Sequence, residues 1–179
     1  MRPFGFSRAV TVDGFDIDNE DHSVAYWDVF ASALRGHFAE DPGKTYYISA
    51  APQCPIPDAS ISLAVMAQAD FVWVQFYNNP SCNLDTEAFQ ESFAAWSGGL
   101  AGLSATTGTP RLFVGVPAFE GAGPGYVDGA ALYSRITQAR ELDVPNLGGI
   151  MLWEGTEALA NVDQYGVDYL EYAKDALHL

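Results

Sequence analysis

Basic residues are scarce in this chain. Its 179 residues carry 8 Lys and Arg against 23 Asp and Glu, giving a formal net charge of −15 and a pI near 4.2. So few cations do not suit nucleic acid or an anionic membrane, which are gripped through Lys and Arg. A neutral partner is compatible. Cysteine is nearly absent as well: Cys54 and Cys82 are the two, each after a strand-like run and beside proline, in PQCPIP and NNPSCN. They pair if those loops share one rim and stay free thiols if they do not. No His/Cys cluster has metal-ligand spacing, so neither a metal nor another cofactor is expected. No run of about eighteen apolar residues occurs, which argues against a transmembrane helix. The opening MRPFGFSRAV lacks the pattern of a signal peptide. A phosphate cradle is missing too: Gly121 to Gly125, GAGPG, has no following lysine and reads as a loop.

The segment with most to say is Asp13 to Glu20, DGFDIDNE. Asp16, Asp18 and Glu20 stand at i, i+2 and i+4. On a β-strand they share one face, with Phe15 and Ile17 on the other, where a helix can cover them. A row of buried acids on an apolar strand is costly, because neighbouring carboxylates cannot all ionise cheaply. Sharing protons, so that the last acid can donate one, is a use that repays the cost. A calcium loop fits poorly, since Gly14 comes second and Glu20 eighth. A solvated loop fits poorly beside Ala9, Val10, Val12, Phe15 and Ile17. On spacing alone, a catalytic acid strand and a structural one stand level.

The chain is 49% hydrophobic, enough for one sizeable core, and no linker divides residues 1–179. Strand-like runs cover Ala9 to Asp18, Thr45 to Ala50, Phe71 to Tyr77, Arg111 to Val116 and Gly148 to Trp153. Helical spacing covers Ser23 to Phe38, Ile61 to Ala69, Thr86 to Leu100 with Asp85 as N-cap, Asp128 to Glu141, and Val162 to Leu177. Strand alternating with helix predicts an α/β fold with a parallel sheet covered by helices. Sites in such folds lie in the loops after the strands. Those loops begin Asp18-Asn19-Glu20, Ala51-Pro52-Gln53, Gln75-Phe76-Tyr77-Asn78-Asn79, Pro117-Ala118-Phe119-Glu120 and Trp153-Glu154-Gly155. Acids, amides, a phenol and an indole on one rim suit a sugar, with Ala51, Gln53, Gln75, Asn78 and Trp153 as contacts.

DGFDIDNE fits the DGxDxDxE signature of glycoside hydrolase family 18. YYISAAPQCPIPD, FVWVQFYNNPSC and GGIMLWEG resemble, in order, segments of its class III, hevamine-like plant and fungal chitinases. The resemblance runs from about Val12 to the C-terminus. It implies a (β/α)8 barrel with its site at the C-terminal strand ends. It makes Glu20 the general acid, Asp18 the carboxylate that assists it and Asp16 the deeper acid of the network. It makes Tyr77 and Gln75 the strand-end pair at the cleaved bond and Trp153 the floor of that subsite. It pairs Cys54 with Cys82, and leaves Asp13, of opposite parity, and Gly14 structural. The implied reaction is retaining, substrate-assisted hydrolysis of β-1,4-linked N-acetylglucosamine, with chitin or chitooligosaccharides as partners and an extracellular setting.

The chain departs from that pattern in length. A (β/α)8 barrel takes about 250 residues, and the acid signature normally sits on its fourth strand. Five strand–helix units therefore predict an incomplete TIM barrel, the C-terminal part of the catalytic domain with the first three units missing. Its open edges invite poor stability, aggregation or self-association. The competing functional readings are a non-catalytic carbohydrate-binding protein or inactive fragment, and an endo-β-N-acetylglucosaminidase.

Overall fold

A computed structural model describes residues 11–103 and 107–178. Five strands, β1 (Gly14–Ile17), β2 (Tyr47–Ala50), β3 (Phe71–Gln75), β4 (Arg111–Pro117) and β5 (Leu147–Trp153), form one parallel sheet in sequence order. Six α-helices accompany them: α1 (Trp27–Phe38), α2 (Leu63–Met66), α3 (Phe89–Ala101), α4 (Gly129–Arg140), α5 (Gly155–Ala160) and α6 (Tyr169–Leu177). Among the described residues the sheet is open: β1 pairs only with β2, and β5 only with β4.

Alternation along each strand decides what the helices bury. Ile17, Ile48, Ala50, Val72, Val74, Phe76, Leu112, Val114 and Val116 are at most 1% exposed and form the core with Leu34, Val65, Phe89, Phe93 and Ile136. Phe76 lies edge-on to Phe89, ring centroids 5.1 Å apart, a favoured aromatic geometry. Among the described residues, no helix covers the face of opposite parity. Tyr47 is 41% exposed there, and Phe71, Trp73 and Phe113 are half-buried against one another, with Trp73 and Phe113 centroids 4.4 Å apart. Arg35 Nη2 donates to Asp70 Oδ2 at 2.7 Å, and the Ile48 N–H donates to the same oxygen at 2.8 Å. One carboxylate thus ties α1 to β2 and to the turn before β3.

The strand reading holds, but several expected boundaries move. Of the first run, Ala9 and Val10 lie outside the described residues, and pairing covers only Gly14–Ile17. The expected helix from Ser23 begins at Trp27, because Asp21 Oδ1 accepts the Ser23 N–H at 2.8 Å and holds a turn. Ala31, Leu34 and Phe38 of its apolar spacing are buried, whereas Val24 and Phe30 are exposed. Asp85 is not an N-cap: α3 starts at Phe89 after Ala88, and Thr86 bonds back to the Asn83 carbonyl. The final helix from Val162 to Leu177 is corrected most. Asp163 Oδ1 accepts the N–H groups of Tyr165 and Val167, and Gly166 takes a positive φ of 85°. That turn separates α6 from α5, a short helix capped by Glu154 that the pattern had not revealed.

Candidate active site

The acid segment enters from β1 along the edge of the sheet. Gly14 has no alternative there, because a Cβ would stand 2.1 Å from the Tyr47 carbonyl oxygen. The Asp13 carboxylate meets Lys44 Nζ at 2.8 Å and its carbonyl accepts the Tyr47 N–H. Only Asp16 of the three acids lies within the strand, and Asp18 and Glu20 follow its end. All three are exposed, which overturns the expectation of a buried row. The reason is the sheet, whose acid-bearing face is open among the described residues. Asn19 between them is buried, donating to the carbonyls of Ser23 and Ser60 and so turning the chain back toward the loop after β2.

Hydrogen bonds nevertheless gather the acids. The Gln75 side chain, 5% exposed at the end of β3, donates from Nε2 toward Glu20 Oε1 at 3.1 Å, Asp18 Oδ1 at 3.3 Å and the Ala51 carbonyl at 2.9 Å. Asp16 Oδ1 accepts from Ser49 Oγ at 2.5 Å and from Trp73 Nε1 at 2.9 Å. Tyr77 is buried, and its phenol is pushed above its ordinary range by that burial, then by the charges of Asp18 and Glu20, so it stays a neutral O–H donor. Asn78 takes a left-handed φ of 59°, and its N–H donates to the Pro124 carbonyl. Gln53 accepts from Asn79 through its side chain. Trp153 ends β5 with an exposed indole. Asp16, Asp18, Glu20, Ala51, Gln75 and Tyr77 therefore form one cluster. No hydrogen bond ties Asn78 or Trp153 to the acids among the described residues.

Ser49 and Trp73 were not singled out in the sequence. Their signal is register: Ser49 pairs with Asp16 across β1–β2, and Trp73 precedes Gln75 by two on the same face. Cys54 and Cys82 are joined by a disulfide, which ties the loop after β2 to the turn after β3. No group of three or more His, Cys, Asp or Glu side chains is placed to hold a metal among the described residues. None of the described helices is long and apolar enough to cross a membrane.

The Asp18 carboxyl is pushed above its usual 3.8 by burial of its end, then by Glu20 and Asp16. The folded chain thus holds this proton more tightly than the unfolded chain does. The resulting stabilisation is complete below the ordinary carboxylate value and is lost as pH rises through the raised one. Asp18→Asn, which keeps an oxygen for Gln75, is expected to melt above the parent at pH 7. The gap should close below about pH 4. Melting temperatures at both pH values check this.

A parallel α/β sheet with carboxylates, amides and a phenol at its C-terminal strand ends has the layout of a glycoside hydrolase. The comparisons make this specific. The chain is 41% identical over 162 residues to Endochitinase 3 of Metarhizium robertsii, an alignment that takes in 90% of this chain and 48% of that protein. The crystal structure of ICChI chitinase from Ipomoea carnea superposes with a TM-score of 0.75 at 30% identity, over 96% of this chain and 60% of the other. The xylanase and α-amylase inhibitor protein XAIP-II from Scadoxus multiflorus superposes with a TM-score of 0.74 at 27% identity, over 99% and 62%. No protein-family model matches the chain. By sequence and by fold the chain is similar to fungal and plant endochitinases and chitinases. It spans about half the length of the curated relatives it matches.

Proposed function

We propose that the chain is the C-terminal part of a family 18 catalytic domain and hydrolyses β-1,4 linkages of chitin. The observation that carries this reading is the Gln75 amide bridging Asp18 and Glu20 at the strand ends, close to the neutral Tyr77 phenol. Glu20, as the acid, protonates the glycosidic oxygen. The substrate's acetamido oxygen attacks the anomeric carbon, and the C–O bond to the leaving sugar breaks, leaving an oxazolinium ion. Asp18 orients the acetamido N–H and offsets the positive charge. Tyr77 donates its O–H to the acetamido oxygen. The Glu20 carboxylate then takes a proton from water as it opens the oxazolinium, with net retention. Asp16, held by Ser49 and Trp73, adds its charge to the larger effects of burial and of Glu20 that raise Asp18. The Trp153 face stacks on the pyranose at the cleaved bond.

The open sheet supports reading these strands as five of the eight in a barrel, with the uncovered Tyr47–Phe71–Trp73–Phe113 face as its interior. The Cys54–Cys82 disulfide fits an oxidising, extracellular setting. A carbohydrate-binding role without turnover is the second reading, favoured by the fit to the xylanase and α-amylase inhibitor protein XAIP-I, whose structure is a complex with trehalose. Incubation with a chromogenic chitotrioside separates the two. Chromophore release with the β-anomer as first product, seen by proton NMR, is the expected result. Binding without release supports the second reading, and an α-anomer first overturns the mechanism.

A further inference from the structure

An amide side chain has one accepting and one donating end of nearly equal shape, so its usefulness as a contact depends on what fixes its orientation. Gln53 has such a fixture. Asn79 Nδ2 donates to Gln53 Oε1 at 3.2 Å and to the Tyr77 carbonyl at 3.1 Å. Asn79 is itself clamped. Its N–H donates to Asn83 Oδ1 at 2.7 Å, and its carbonyl accepts the Asn83 N–H at 3.0 Å. Asn83 is 2% exposed, and Gly125 packs so tightly that a Cβ there would lie 3.1 Å from the Asn83 Cγ. The Gln53 backbone is fixed from the other side, its N–H donating to Asp58 Oδ2 at 2.9 Å. With Oε1 occupied, the end of Gln53 left unbonded among the described residues is the Nε2 donor.

We infer that Asn79 is a positioning residue that sets Gln53 as an N–H donor for an acceptor oxygen of the sugar chain. The acetamido carbonyl is the substrate's strongest accept-only group, so the donor favours N-acetylated residues over free glucosamine, whose ammonium can only donate. The inference rests on the reading of this rim as a chitooligosaccharide site. Asn79→Asp reverses the polarity: a carboxylate accepts from Nε2 and leaves Oε1 outward. For chitotetraose it is expected to raise KM about tenfold while kcat stays within about threefold. Asn79→Ala should fall between. In a Gln53→Ala background, Asn79→Asp should change KM no further, because contributions made through one group are not additive.

An unchanged KM in Asn79→Asp overturns the inference, as does an equal KM rise in the Gln53→Ala background. A loss confined to kcat and melting temperature does so too, since it marks a purely structural residue. If the chain binds chitotetraose without turnover, the same cycle is read in Kd. If the parent chain neither binds nor hydrolyses chitotetraose, the site reading falls and takes the inference with it. If it does either and the cycle is additive, the positioning role alone falls.

Discussion

Glu20→Gln is expected to lower hydrolysis of a chitooligosaccharide by roughly 10²–10⁴-fold while leaving its binding within about threefold. The substitution keeps the shape of the side chain and an oxygen to accept from Gln75 Nε2, whose contact with Glu20 is 3.1 Å. It removes the group's capacity to give and take a proton, which the proposed scheme uses twice, once toward the leaving oxygen and once from water. On the proposed reading affinity survives, because the Tyr77 hydroxyl, the Trp153 face and the amides of the rim would hold the sugar. Initial rates set beside calorimetric binding check both halves. Full activity in a folded Glu20→Gln chain would remove Glu20 from the chemistry. A parallel loss of binding would make it a contact instead.

Replacing both Cys54 and Cys82 by Ser is expected to cost about 3–4 kcal/mol of folding stability. The bridge spans a sequence separation of 28, and closing a loop of that size removes much freedom from the unfolded chain. The partners are 1% and 4% exposed, so the two hydroxyls would also be buried in an apolar setting. The Cys54 carbonyl accepts from Trp96 Nε1 at 2.8 Å, so the bridge docks on α3 as well. Denaturant melts of the oxidised parent and of the double variant check the size of the effect. A change under about 1 kcal/mol would mean that the surrounding hydrogen bonds alone hold the two loops.

Much of this fold was legible in the chain. Runs such as FVWVQ and RLFVGV are apolar on both parities, which suits a parallel strand, although helices cover only one of the two faces among the described residues. Their order and bounds came through nearly unchanged. Helix ends did not, because side chains of no apolar period decide them. Asp163 closes a turn inside what looked like one continuous helix, and Asp21 delays the start of α1. The acids were legible as a motif, but not in their placement: Asp16 alone lies within β1, and the exposure of all three depends on what covers the sheet. Ser49 and Trp73 were illegible for another reason: their partnership with Asp16 crosses strands, and only register brings them together. The Cys54–Cys82 pairing followed from resemblance, since two cysteines alone leave the choice open.

The pairing of β1 has a mechanical consequence. Among the described residues it is joined to the sheet through β2 alone, over four residue pairs, while β4 is flanked on both sides. The proposed proton donor and its neighbours therefore ride on the strand with the fewest ties to the core, and Gln75, rooted in the interior strand β3, acts as the tether that reaches out to them. Whatever lies against the outer edge of β1 stiffens the acids directly, so the fidelity of their geometry is governed from outside the cluster they form.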